Sequence, residues 1–220
     1  MLNEVLFLCH ALVVGGTALG ALGLGRCALI TFVALQWVVA NLFVTKQTVL
    51  FGLTVTCADV FIVGAVFSVN LLQEFFGSDA ARKAIWIGFA SSIWFLVMSI
   101  IHVSYAQCDA MHCHFAEVLQ HTPRVIIASL FVMLFVQLIE RRIYAWLKRA
   151  FWGRLPVMRN IVSLTFCQGL DTVLFTFAGL YGIVNSVWHI IAMSFVVKLA
   201  AILLVSPVVK VAKFFVSTSK

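Results

Sequence analysis

Apolar runs of about twenty residues follow one another along almost the whole chain, with charged residues gathered in the short gaps between them. A helical run of that length rises about 1.5 Å per residue and crosses a hydrocarbon core about 30 Å thick. The runs are continuous rather than alternating with period two, which disfavours a transmembrane barrel. Composition agrees: 63% of residues are hydrophobic and 10% are charged, against about 45–50% and about 25% in soluble domains. A water-soluble globule is excluded. The 220 residues hold roughly six or seven spans and leave nothing for an aqueous domain of ordinary size. The expected fold is all-α, a polytopic transmembrane helical bundle forming a single domain over residues 1–220.

The runs predict spans over residues 5–24, 27–45, 50–70, 84–105, 124–147, 157–183 and 187–206. Only a tight turn near Arg26 separates the first two, so one interrupted unit, and six spans, is the alternative. The start carries Glu4 and no basic stretch, and so reads as a retained span rather than a cleaved signal peptide. With seven spans, Arg26, Arg82, Lys83, Arg141, Arg142, Lys148, Arg149, Arg154, Arg159, Lys210, Lys213 and Lys220 share one side. That is 12 basic residues, against 2, Lys46 and Arg124, on the other. Cytoplasmic loops are enriched in Lys and Arg, so the C-terminus is expected inside and the N-terminus outside. The same arithmetic accounts for the net charge of +7 without a nucleic-acid partner. Tyr144, Trp146, Phe151 and Trp152, interleaved with arginine and lysine, are expected along the cytoplasmic headgroup region.

Ionisable and amide side chains inside a bilayer are costly, and each is a functional candidate. They are Asn41, Lys46, Asp59, Asn70, Glu74, Gln137, Glu140, Gln168, Asp171 and Lys198. Gln137 and Glu140 are three apart, as are Gln168 and Asp171, and Asn70 and Glu74 are four apart, so each pair shares a helix face. The plain reading is interhelical hydrogen bonding that holds the bundle together. That reading suits the amides better than the carboxylates. Asp171 lies 12 residues past Arg159 and Lys198 lies 11 past Val187, which puts both near the midplane on neighbouring antiparallel helices. An isolated lysine there is very expensive, so an Asp171–Lys198 pair is expected.

The segments VANLFVTK, SVNLLQEFFGSDAARKAIWIGF, RVIIASLFVMLFVQLIE and RNIVSLTFCQGLDTVLF, with the late lysine before Pro207, resemble the queuosine-precursor transporter family. The likeness runs from about Val39 to Lys213 and leaves the first span, residues 1–26, outside it. Three departures stand out: Asn70 and Glu140 occupy positions where the family has aspartate, and the family's proline near Val63 and Gly64 is missing. The resemblance implies an inner-membrane importer of queuine or another 7-deazaguanine for tRNA modification salvage, a transporter and not an enzyme. It implies a substrate site drawn from Asn41, Asn70, Glu74, Gln137, Glu140, Gln168, Asp171 and Lys198. A deazaguanine offers N1–H and a 2-amino group as donors and O6 as an acceptor. Glu140 or Asp171 suits the former, Gln137, Gln168 or Asn41 the latter, and Trp37, Phe67, Phe166 or Phe175 can stack on the ring.

Other chemistries find less support. Cys108, His112, Cys113, His114 and His121 crowd the loop 106–123 without a standard zinc spacing, so no metal is expected, although Cys108 and Cys113 are candidates for a disulfide. Cys9, Cys27, Cys57 and Cys167 lie in apolar runs and are expected to pack there. His10, His102 and His189 fall one per span, which does not suit a haem. An embedded enzyme would need a carboxylate cluster near the cytoplasmic interface, and the acids are scattered. No Walker-type glycine loop is present, so this chain is not expected to hydrolyse ATP itself, and no cofactor is expected. The energy for uptake comes from a gradient, a partner ATPase module or trapping of the substrate. The expected partners are the small molecule, the lipid bilayer and, beyond the ATPase, a second copy of the chain.

Overall fold

The computed structural model describes residues 2–43, 46–50, 53–56, 58–105, 123–152, 154–181, 187–210 and 212. Among them are seven helices and one β-hairpin. The helices are α1 (Leu2–Gly23), α2 (Arg26–Phe43), α3 (Asp59–Phe75), α4 (Ser78–Val103), α5 (Pro123–Ala150), α6 (Pro156–Phe175) and α7 (Val187–Val205). Strands β1 (Gln47–Leu50) and β2 (Leu53–Thr56) pair antiparallel between α2 and α3. Five helical stretches, in α1, α2, α4, α6 and α7, are long and apolar enough to cross a membrane. The helical bundle inferred from the apolar runs is the fold observed. The cysteine- and histidine-rich loop and Cys57 lie outside the described residues.

The turn near Arg26 divides two separate helices rather than bending one. Gly25 sits there at φ +106°, in the left-handed region that costs glycine little.

One span is corrected. The expected helix over 50–70 begins only at Asp59, because Gln47–Leu50 and Leu53–Thr56 pair as strands. Val and Thr are stiff, β-favouring residues, and Gly52 between two such runs is a hairpin signal that a hydropathy reading passes over. The helix then runs on to Phe75, so it is displaced toward the basic loops.

That displaced helix is the axis of the bundle. On α3, 13 of 17 residues are buried, so it is enclosed on nearly every side. Its neighbours approach closely: a Cβ on Gly64 would collide with both Gln36 of α2 and Val14 of α1. Helix α4 packs through a stripe of small buried residues four apart, Ala80, Ala84, Gly88 and Ser92, with Gly88 set against the Trp37 ring. Small residues serve this purpose in membranes, where helices associate through close packing rather than exclusion of water. Cys167 packs as expected, whereas Cys9 and Cys27 are exposed.

Arg26, Arg82, Lys83, the charges between Arg141 and Arg159, and Lys210 gather at one end of the bundle, here called the basic end. Trp146, Phe151 and Trp152 are exposed there, in keeping with an interfacial belt. Tyr144 is not: it turns inward and is 1% exposed.

Candidate functional site

Polar side chains form a column inside the bundle, in layers between α3, α5, α6 and α7. Nearest the basic end, Glu74 of α3 is held from two helices. Arg159 Nη2 donates to Glu74 Oε1 at 3.0 Å, and Lys148 Nζ lies 3.2 Å from Oε2. The Tyr144 hydroxyl donates to Oε2 at 3.3 Å, and Lys148 also donates to the Glu74 carbonyl at 3.1 Å. Tyr144 and Lys148 are four apart and so share a face of α5. Arg159 is fully buried, with its guanidinium carbon 5.5 Å from the Tyr144 ring centre, a cation–π contact. Alongside, Gln73 donates to the Arg141 carbonyl at 2.9 Å and Arg141 to Ser78 Oγ at 2.8 Å. Both Glu74 oxygens have partners, while Gln73 Oε1, Arg141 Nε and Arg159 Nε and Nη1 are buried without one among the described residues.

One turn further in, Asn70 Nδ2 donates to Glu140 Oε1 at 2.8 Å and to Asn160 Oδ1 at 3.0 Å. Asn160 Nδ2 in turn donates to Ser206 Oγ at 2.9 Å. Four segments, α3, α5, α6 and the end of α7, thereby meet through side chains. Glu140 is 0% exposed, with Ser163 and Cys167 beside its carboxyl. Among the described residues no cation pairs with it.

Beyond Glu140 lie two amides. Val136 and Cys167 pack in one cluster, which brings the next residues along, Gln137 and Gln168, to a similar level of facing helices. Gln137 is 1% exposed, and among the described residues neither its Nε2 nor its Oε1 has a hydrogen-bond partner; Gln168 Oε1 is in the same position. An unmatched buried amide costs about 1–3 kcal/mol, and Gln137 lacks a partner at both ends of its amide.

The last layer holds the pair inferred from depth. Lys198 Nζ lies 2.7 Å from Asp171 Oδ2 and 3.1 Å from Thr172 Oγ1. Asp59 Oδ1, at the start of α3, is 4.0 Å from the same ammonium, making two acids to one base. Just beyond, α6 widens into a π-helical turn over Thr176–Leu180, a departure often found at functional positions.

The structure thus brings together Asn70, Gln137, Glu140, Gln168, Asp171 and Lys198. Glu74 joins the same column, where its carboxylate meets Lys148 and Arg159. Asn41 stands apart, its amide donating to the Trp37 carbonyl in its own helix at 3.0 Å. Of the proposed stacking rings, Phe67 is fully buried one turn from Asn70, whereas Phe166 is 59% exposed and faces outward. Arg159, Asn160, Tyr144 and Ser206 were not singled out. Arg159 and Tyr144 sit in a stretch whose charges and rings suit the interface equally well. Asp59 was among the polar candidates, but a helix spanning 50–70 would not have placed it beside Lys198.

A buried ionisable column through an apolar bundle is what a membrane transporter requires, and the comparisons with known proteins agree on that class. A family model described as "Putative vitamin uptake transporter" matches residues 56–212. A protein of Bacillus subtilis (strain 168) named "Probable queuosine precursor transporter" is 32% identical over 196 residues, covering 87% of this chain and 86% of that protein. No solved structure gives a significant match. The chain belongs to the vitamin uptake transporter family, and is a multi-pass membrane protein that carries a small molecule. All four layers of the column fall within the matched residues, whereas α1, α2 and Asn41 fall outside them.

Proposed function

We propose that the protein imports a queuosine precursor, queuine or a related 7-deazaguanine, across the inner membrane to supply tRNA modification by other proteins. The observation that carries this is the Gln137 amide, buried with donor and acceptor both unmatched, between the Glu140 carboxylate and the Asp171–Lys198 pair. Glu140 accepts from N1–H and the 2-amino group, the Gln137 and Gln168 amides meet O6 and the remaining donors, and Phe67 offers a ring face. The chain itself makes and breaks no covalent bond.

In this proposal seven helices span the bilayer, with the basic end and C-terminus in the cytoplasm and the N-terminus outside. The Glu74 layer closes the cytoplasmic end. One acid in excess in the Asp59–Asp171–Lys198 layer favours a proton gradient as the energy source. Uptake of labelled queuine into vesicles containing this chain alone tests both substrate and coupling. Import that stops when the gradient is collapsed is expected. Import indifferent to the gradient would point to trapping, and import requiring ATP and a second protein to an ATPase module. In the same assay Glu140→Gln should weaken uptake at low substrate roughly 10- to 150-fold, the loss of one charge-assisted hydrogen bond. Unchanged uptake would remove Glu140 from the site.

A further inference from the structure

Away from the column, α1 and α2 leave a groove that nothing in the transport reading uses. The two helices are joined by the tight Gly25 turn at the basic end and separate toward the other end. There a cavity of about 440 Å³ is lined by Asn3, His10, Lys46 and Thr48 together with apolar side chains such as Phe7 and Phe43. A second cavity of about 140 Å³ continues between the same helices, walled by Val13, Phe32, Leu35 and Val39. Phe61 of α3 lines both, so the two adjoin across its ring. Its ring stands edge-on to His10, with centroids 4.3 Å apart, and stacks on Phe43 at 6.0 Å.

The groove is polar at one end and apolar at the other, in the direction of a lipid. Lys46 lies just past the end of α2, whose 18 residues rise about 27 Å, which puts it at the headgroup level opposite the basic end. Leu6 of the lining is 56% exposed, so the groove opens sideways toward acyl chains. His10 Nε2 is buried and has no partner among the described residues. On α1, Asn3, Leu6, Phe7 and His10 fall on one face, while Glu4 falls roughly 100° or more away from that face's centre. Of the described residues that line the groove, Lys46 carries the formal charge.

We propose that this groove is a binding site for an anionic phospholipid of the leaflet at that end. The phosphate sits among Lys46, His10 and Thr48, and one acyl chain lies along Phe61 into the apolar part. The lipid fills the space that α1 and α2 cannot close, and so attaches α1, which lies outside the family match, to the family's core.

The test is thermal unfolding of the purified full chain in detergent. Added probes are phosphatidylglycerol, phosphatidylcholine with the same acyl chains, and glycerol 3-phosphate. Phosphatidylglycerol should raise the unfolding temperature, while the other two should not. Lys46→Gln should bind phosphatidylglycerol roughly fivefold more weakly, the weight of one basic residue beside an anionic lipid. Val13→Trp, which obstructs the apolar part from an exposed position, should also reduce the rise. Arg82→Gln at the basic end should leave it intact. An equal response to phosphatidylcholine, or a full phosphatidylglycerol response in Lys46→Gln and Val13→Trp, would overturn the proposal. A response to glycerol 3-phosphate alone would assign the polar end to a free phosphate and likewise overturn it.

Discussion

The Glu74 carboxylate and the Gln137 amide lie about two turns apart in one bundle, and their surroundings treat them in opposite ways. Glu74 is met by an arginine, a lysine and a tyrosine, and the arginine is stacked on the tyrosine. Gln137 is more deeply buried, yet both ends of its amide are unmatched among the described residues. The first arrangement ties α3, α5 and α6 together at the basic end. The second is unfavourable for the bundle alone, and in the proposed function a ligand brings the missing donors and acceptors. Between them, Glu140 is bonded by Asn70 and has no neutralising cation among the described residues, so the proposal groups it with the ligand site. Buried polarity in a membrane bundle therefore has two uses, distinguished by whether partners are already in place.

The difference is sharpest in what truncation does to folding. Glu74→Ala would leave Arg159 fully buried without its carboxylate, at a cost of about 3–5 kcal/mol, seen as a steep fall in unfolding temperature. A mild effect would mean that Arg159 does not depend on Glu74 and that the tie is loose.

Lys198→Ala should come next. It leaves Asp171 and Asp59 uncompensated, so the single variant should be less stable than the double variant Lys198→Ala with Asp171→Asn. Asp171→Asn alone should be milder still, because Asp59 remains 4.0 Å from the ammonium. A single variant as stable as the double would show that the pair contributes little.

The apolar runs made the class of fold legible, since little else can be built from them. Charge asymmetry located the basic end, and residue counting put Asp171 and Lys198 at one depth, where they meet at 2.7 Å. Pairings between distant parts of the chain were not legible. Nothing local distinguishes Asn160, whose partners are Asn70 on α3 and Ser206 past α7. Arg159 and Tyr144 were hidden for another reason: arginine and tyrosine at a helix end fit the interface equally well, and only the packing of α5 against α6 turns them inward. The hairpin over 47–56 was hidden in turn, because hydropathy scores a β-branched run and a helical run alike.

Gln137→Leu tests the central claim most directly, since it replaces an unmatched amide with an apolar side chain of similar size. Removing unmatched buried polar atoms is neutral or stabilising, so the unfolding temperature should hold or rise by the equivalent of about 1 kcal/mol. Uptake of labelled queuine into vesicles should be lost at low substrate. A variant that unfolds more easily would show that the amide holds the bundle together. A variant that imports normally would show that the substrate binds elsewhere. Either result would contradict the account.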